Sequence, residues 1–116
     1  MRVGFLQRDI TPTTLVHLGG GLNPDFSPRV SSGLSDLLYL KIILITGDDR
    51  KVRLAIFVVD LIWLSKEISD DIRIAVSKII DTEVPRIIIS ATHTHNGPET
   101  MPNFYGAVPS SEYAKF

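Results

Sequence analysis

"KVRLAIFVVDLIWLSKEISDDIRIAVSKIIDTEVPRIIIS", residues 51–90, decides the fold. Its first eleven positions, 51–61, are dense in β-branched and apolar side chains, and the run from Leu54 to Val59 predicts a strand covered on both faces. Between 66 and 80 the pattern changes period: Ile68, Ile72, Val76 and Ile79 or Ile80 fall on one side of a helix. Ser65 is placed to cap that helix, with Glu67, Asp70 and Asp71 at its positive end and Lys78 at its negative end. Pro85 forbids further helix, and "RIIIS" (86–90) is a second, short buried strand. Strand, helix and strand in this order make a βαβ unit. Strands 51–61 and 86–92 are therefore expected to run parallel.

Upstream, "LLYLKIILI" (37–45) reads as a strand and "TGDDR" (46–50) as the turn of a hairpin whose second arm is 51–61. "RVGFLQRDI" is another short strand, stopped by Thr11-Pro12. Residues 13–36, with Gly19, Gly20, Gly21, Pro24, Pro28 and Gly33, read as one long loop. The triple glycine fits neither a Walker A loop nor a dinucleotide fingerprint and reads as flexible chain, with His17 a lone loop histidine. Trp63 reads as core, and residues 101–116 as loop. The fold class is α/β, a mixed sheet in which a β-hairpin leads into a βαβ unit. The ending "SSEYAKF" has no cap, strand or polar tail, and predicts that part of the sheet lies beyond it.

Composition narrows the classes of function. A chain of 116 residues suits one small domain, and 44% hydrophobic with 22% charged residues is globular rather than disordered. A net charge of −1 and no basic stripe exclude the electrostatic footprint of a nucleic-acid binder. Cysteine is absent, so any metal must be held by His, Asp, Glu or Tyr. The start "MRVGFLQRD" lacks the apolar core of a signal peptide, and the apolar stretch Leu54–Leu64 is short and broken by Asp60, so no transmembrane segment is expected. The expected location is the cytoplasm, or outside the cell or at a membrane if the natural N-terminus lies upstream.

In open α/β sheets, ligands collect beyond the carboxyl ends of the parallel strands. One such end here is Asp60; the other is Thr92-His93-Thr94-His95-Asn96, which holds two of the chain's three histidines. In extended chain, residues i and i+2 point to the same side, with roots roughly 6.5–7 Å apart. Two imidazoles so placed can converge on one metal ion, and Gly97-Pro98 turns the chain away to leave an open mouth. The competing reading is a surface or structural His pair. A carboxylate in so apolar a run as "FVVDLIWL" needs a partner. Asp60 is read either as a metal ligand, as an acceptor that fixes a His tautomer, or as a plain cap or ion pair. Asp9, before Ile-Thr-Pro, is read as a turn former.

These segments resemble a known family. "ATHTHNGP" (91–98) is similar to the "ATHTHSGP" signature of the neutral/alkaline, non-lysosomal ceramidases, and "RDITP" (8–12) resembles their "DITPP" opening. "LLYLKIILITGDDRKVRLAIFVVDLIWL" resembles the hairpin between them, and order and spacing agree from residue 3 to about residue 100. The resemblance implies a zinc-dependent amidase that splits ceramide into sphingosine and a fatty acid by metal-activated water. It implies that His93 is a zinc ligand and that His95 is catalytic, beside the zinc and close to the substrate amide. The family's other ligands (a His, a Glu and a Tyr) would lie downstream. Residues 1–116 are accordingly expected to be the N-terminal portion of a ceramidase-like catalytic domain, inactive alone and weak for zinc. Asn96 stands where the family has Ser, and one proline follows "DIT" where two are usual. The alternatives are a non-catalytic metal- or ligand-binding relative of the same fold, and a metal-free hydrolase using His95 as base.

Overall fold

The computed structural model describes residues 1–101, 107–110 and 113. Along the chain the elements are β1 (Arg2–Asp9), β2 (His17–Leu22), β3 (Pro28–Val30), β4 (Tyr39–Thr46), β5 (Val52–Val59), α1 (Lys66–Ile79), a 3-10 turn at Val84–Arg86 and β6 (Ile87–Ala91). A mixed four-stranded sheet has the order β1-β4-β5-β6. β1 and β4 are antiparallel, as are β4 and β5, while β5 and β6 run parallel with Ala55 beside Ile87 and Val59 beside Ala91. The chain is thus an α/β protein with the hairpin and the βαβ unit that its periodicities predict.

The local causes are visible in each element. The Ser65 hydroxyl accepts the N–H of Ile68 at 3.2 Å, capping α1 at the expected residue. α1 lays Val76 and, just past its end, Ile80 against Ala55, Phe57 and Ile87. Leu40, Ile42 and Leu44 of β4 extend this core across the sheet. The hairpin turns at Gly47, whose N–H and carbonyl pair with Lys51 and Arg50 at 3.0 Å each.

Two expectations are corrected. β5 is expected from its sequence to be covered on both faces; Ala55, Phe57 and Val59 are buried, the first two in the cluster that Val76 and Ile80 pack against, but Leu54, Ile56 and Val58 on the opposite face are only partly buried. The register puts Ile43, Ile45, Phe5 and Val3 on that same face, where Val3 and Phe5 are each 66% exposed. The stretch 13–36 is not one loop. It folds into the antiparallel pair β2–β3, turned at Asn23–Ser27. Most of the loop expected over 101–116 lies outside the described residues. Among the described residues no helix is long and apolar enough to cross a membrane.

Candidate functional site

Because β1, β5 and β6 point the same way, Asp9, Asp60 and the His93–His95 segment emerge at one end of the sheet. β6 stops at Ala91, earlier than the strand end at 92 that the sequence suggests. The next residues continue to pair with the chain that follows β5: Thr92 N–H donates to Val59 O at 2.9 Å and His93 N–H to Leu61 O at 3.0 Å. His93 sits at φ 64°, a left-handed conformation that costs roughly 1–3 kcal/mol in a non-glycine residue. The two histidines are therefore not ordinary extended i, i+2 neighbours. Their rings nonetheless meet edge to face, with centroids 5.0 Å apart.

Each ring is tied down through Nδ1. His93 Nδ1 lies 3.0 Å from the Ile62 carbonyl, and His95 Nδ1 lies 2.8 Å from the Gly20 carbonyl. A carbonyl oxygen can only accept, so both Nδ1 atoms carry the proton. In the neutral rings the lone pair then belongs to Nε2, the state a metal ion or a proton requires. His17 is the contrast: its Nδ1 accepts the Val108 N–H at 2.7 Å, and it stands apart from the pair.

The glycines of β2 explain the second anchor. A Cβ on Gly20 would lie 1.9 Å from Ile62 Cδ1 and 2.9 Å from His95 Nδ1, and one on Gly19 would lie 2.4 Å from Ile62 Cγ2. Gly20 also holds φ +68°. The triple glycine is therefore a close-approach strand, not flexible chain. Gly19 N–H donates to Gly97 O at 2.9 Å and Glu99 N–H to His17 O at 2.8 Å, so β2 pairs with the chain just after the histidines. Arg29 of β3 closes the arrangement, donating to His95 O at 3.2 Å and to Asn96 Oδ1 at 3.1 Å. Asn96 is thus the acceptor for this guanidinium.

His93 and His95 line an open cleft of about 670 Å³ with Gly20, Leu22, Phe26, Ile62 and Trp63. Thr94 and Asn96 face a different depression of about 860 Å³ beside Thr11–Val16, Leu18 and Val30–Asp36. Alternation about the segment survives the break in the strand.

The carboxylates have definite partners. Asp60 Oδ2 accepts the Tyr39 N–H at 2.9 Å, and its own N–H returns to Tyr39 O at 2.9 Å, extending the β4–β5 ladder by one residue. The acceptors that fix the histidine tautomers are backbone carbonyls, and Asp60 borders the segment through its own carbonyl, against Gly97. Asp9 Oδ1 accepts the Thr11 N–H at 2.8 Å, the turn its sequence predicts. Hydrogen bonds from Thr11, side chain and then backbone, hold the Asp9 carboxyl below the usual carboxylate range.

One residue of the site escaped sequence reasoning. Glu99 is 2% exposed, and its Oε1 accepts from Trp63 Nε1 at 2.9 Å and from the N–H groups of Thr100 and Met101 at 2.8 Å each. The local cue was weak, a lone glutamate after Gly-Pro, and its partner Trp63 lies 36 positions earlier.

Among the described residues, no third His, Cys, Asp or Glu joins the two histidines in a group able to hold a metal ion. The donor chemistry of the pair still fits part of a zinc site: two neutral imidazoles, each oriented from behind by a carbonyl. The sequence matches no family model, no curated protein and no solved structure.

Proposed function

We propose that this chain is the N-terminal part of a zinc-dependent amidohydrolase of the neutral ceramidase type, acting on an N-acyl amide such as ceramide or a related lipid. What carries the proposal is the pair of Nδ1–carbonyl anchors, which leave two Nε2 lone pairs in one cleft. The apolar walls of the cleft, Leu22, Phe26, Ile62 and Trp63, suit the acyl part of such a substrate.

In this reading His93 would hold the metal, with further ligands coming from outside the described residues. Bound there, zinc would supply Lewis acidity and lower the pKa of water to about 7. His95, fixed on Gly20 O, is the proton carrier: Nε2 accepts a proton as water adds to the amide carbonyl and returns it to the departing amine nitrogen. As imidazolium it also donates toward the developing oxyanion. Arg29 and Gly20 keep His95 in place through backbone contacts on either side. Asp60 supports the edge of the sheet through Tyr39 rather than through a ring nitrogen.

Metal analysis of the complete protein and its His93→Ala variant tests the ligand assignment. Zinc is expected in the parent and lost in the variant; equal zinc in both sinks it. Release of fatty acid from a panel of N-acyl amides should depend on metal and on His95. A metal-loaded protein that cleaves none of them refutes the amidase.

A further inference from the structure

We infer that Trp63 is the recognition surface for the apolar part of the substrate, and that Glu99 is the positioning residue that fixes it. This rests on reading the His93/His95 cleft as a substrate site.

The chain after β5 is held residue by residue. The carbonyl of Leu61 accepts from His93 N–H, that of Ile62 from His93 Nδ1, and that of Trp63 from Thr100 Oγ1 at 3.0 Å. Three consecutive carbonyls are thus occupied by the segment that carries the histidines. The side chain of Trp63 is held in addition by the Glu99 carboxylate, whose Oε1 takes the indole N–H at 2.9 Å. The same oxygen accepts two backbone N–H groups, from Thr100 and Met101.

A carboxylate that is 2% exposed must be hydrogen-bonded to persist in the interior. Its role here is directional. Backbone donors fix the oxygen, and the oxygen fixes one edge of the indole. Trp63 lines the cleft together with both histidines, so its ring is held at a set angle in the same cleft. A rigid indole is suited to an extended acyl chain, because it offers a large apolar face at little conformational cost. Glu99 acts only through Trp63 and touches no reacting group.

Trp63 is the only tryptophan of the 116 residues, so its fluorescence and indole N–H resonance are free of overlap from any other indole. Metal-free chain is titrated with N-dodecanoylethanolamine, read by Trp63 emission and by calorimetry. The emission should shift on binding. Trp63→Ala should weaken the probe about tenfold, and Glu99→Ala about threefold. Glu99→Gln, which keeps an acceptor oxygen, should restore most of the affinity. In the Trp63→Ala background, Glu99→Ala should have no further effect. Without ligand, Glu99→Ala should raise acrylamide quenching and lower the anisotropy of Trp63, with far-UV circular dichroism unchanged.

Unaltered Trp63 emission at millimolar probe overturns the recognition role. An equal loss from Glu99→Ala with and without Trp63 overturns the positioning role. If Glu99→Ala does not fold, indole N–H exchange in the parent chain decides the pairing: slow exchange supports it, and exchange at the free-indole rate overturns it. Zinc is omitted throughout, so binding is read apart from hydrolysis: a metal-loaded complete protein that cleaves no N-acyl amide refutes the amidase, and probe binding through Trp63 then leaves this assignment standing.

Discussion

At the scale of single residues, Gly20 carries more of the site than any charged group. Its missing Cβ leaves room for both Ile62 and His95, and its carbonyl is the His95 anchor. Gly20→Ala forces a side chain into Ile62 Cδ1 at a φ that disfavours it. The expected cost is roughly 2 kcal/mol in urea unfolding, with His95 moved off its carbonyl and its Nδ1–H resonance lost. Retention of that resonance and full stability would contradict the role given to the glycine. The His pair itself was legible in the sequence, because same-side spacing and a Gly-Pro exit are local facts. The glycines were not, since what they accommodate, Ile62 and His95, lies far off in the chain. Glu99 was hidden for the same reason, and Asp60 showed only that it needed a partner, not that the partner was Tyr39.

Elements were far easier to read than their ends. α1 was evident from period and caps together, and its termini agree because Ser65 marks the start chemically. Ser65→Ala should lower stability by about 1 kcal/mol in thermal unfolding. The first turns of α1 also predict a pH dependence. Glu67 is held below the usual carboxylate range by its own backbone N–H and by Ser65, and Asp70 by hydrogen bonds from Lys66 and Arg73. A folded pKa below the unfolded one means stability that is fully present above the ordinary carboxylate range and is lost as pH falls through the depressed values. Melting temperature should therefore drop as pH falls through and below the ordinary carboxylate range, and Asp70→Asn should flatten part of that drop. An unchanged slope in Asp70→Asn would assign the acid sensitivity elsewhere. β2 and β3 were missed because a glycine-rich strand has no side-chain alternation to detect.

The whole molecule is asymmetric about its sheet. α1 covers the part of one face formed by β5 and β6; the other face displays Val3, Phe5, Ile43, Ile45, Leu54, Ile56 and Ile88, and all of β1 is exposed. The covered part and the open face should respond differently to mutation. Ile87→Ala, under the helix at 2% exposure, is expected to cost about 3 kcal/mol. Phe5→Thr, at 66% exposure, should cost under about 0.5 kcal/mol and should reduce binding of a hydrophobic dye. Similar losses at both positions would mean that the second face is covered in solution. The sequence made the mixed sheet legible but not this asymmetry, because an apolar strand reads alike whether one or both of its faces are sealed. The His95 anchor has a further consequence, for folding. It joins residues 75 positions apart, farther than the 32 between Ala55 and Ile87 in the βαβ unit, so it is expected to close after the hairpin and that unit, whereas the His93 anchor spans 31 and is expected to close with the unit. Until then the His95 imidazole has no carbonyl to fix its tautomer. The arrangement around His95 is thus expected to be completed late, and a partly folded chain has the histidines without it.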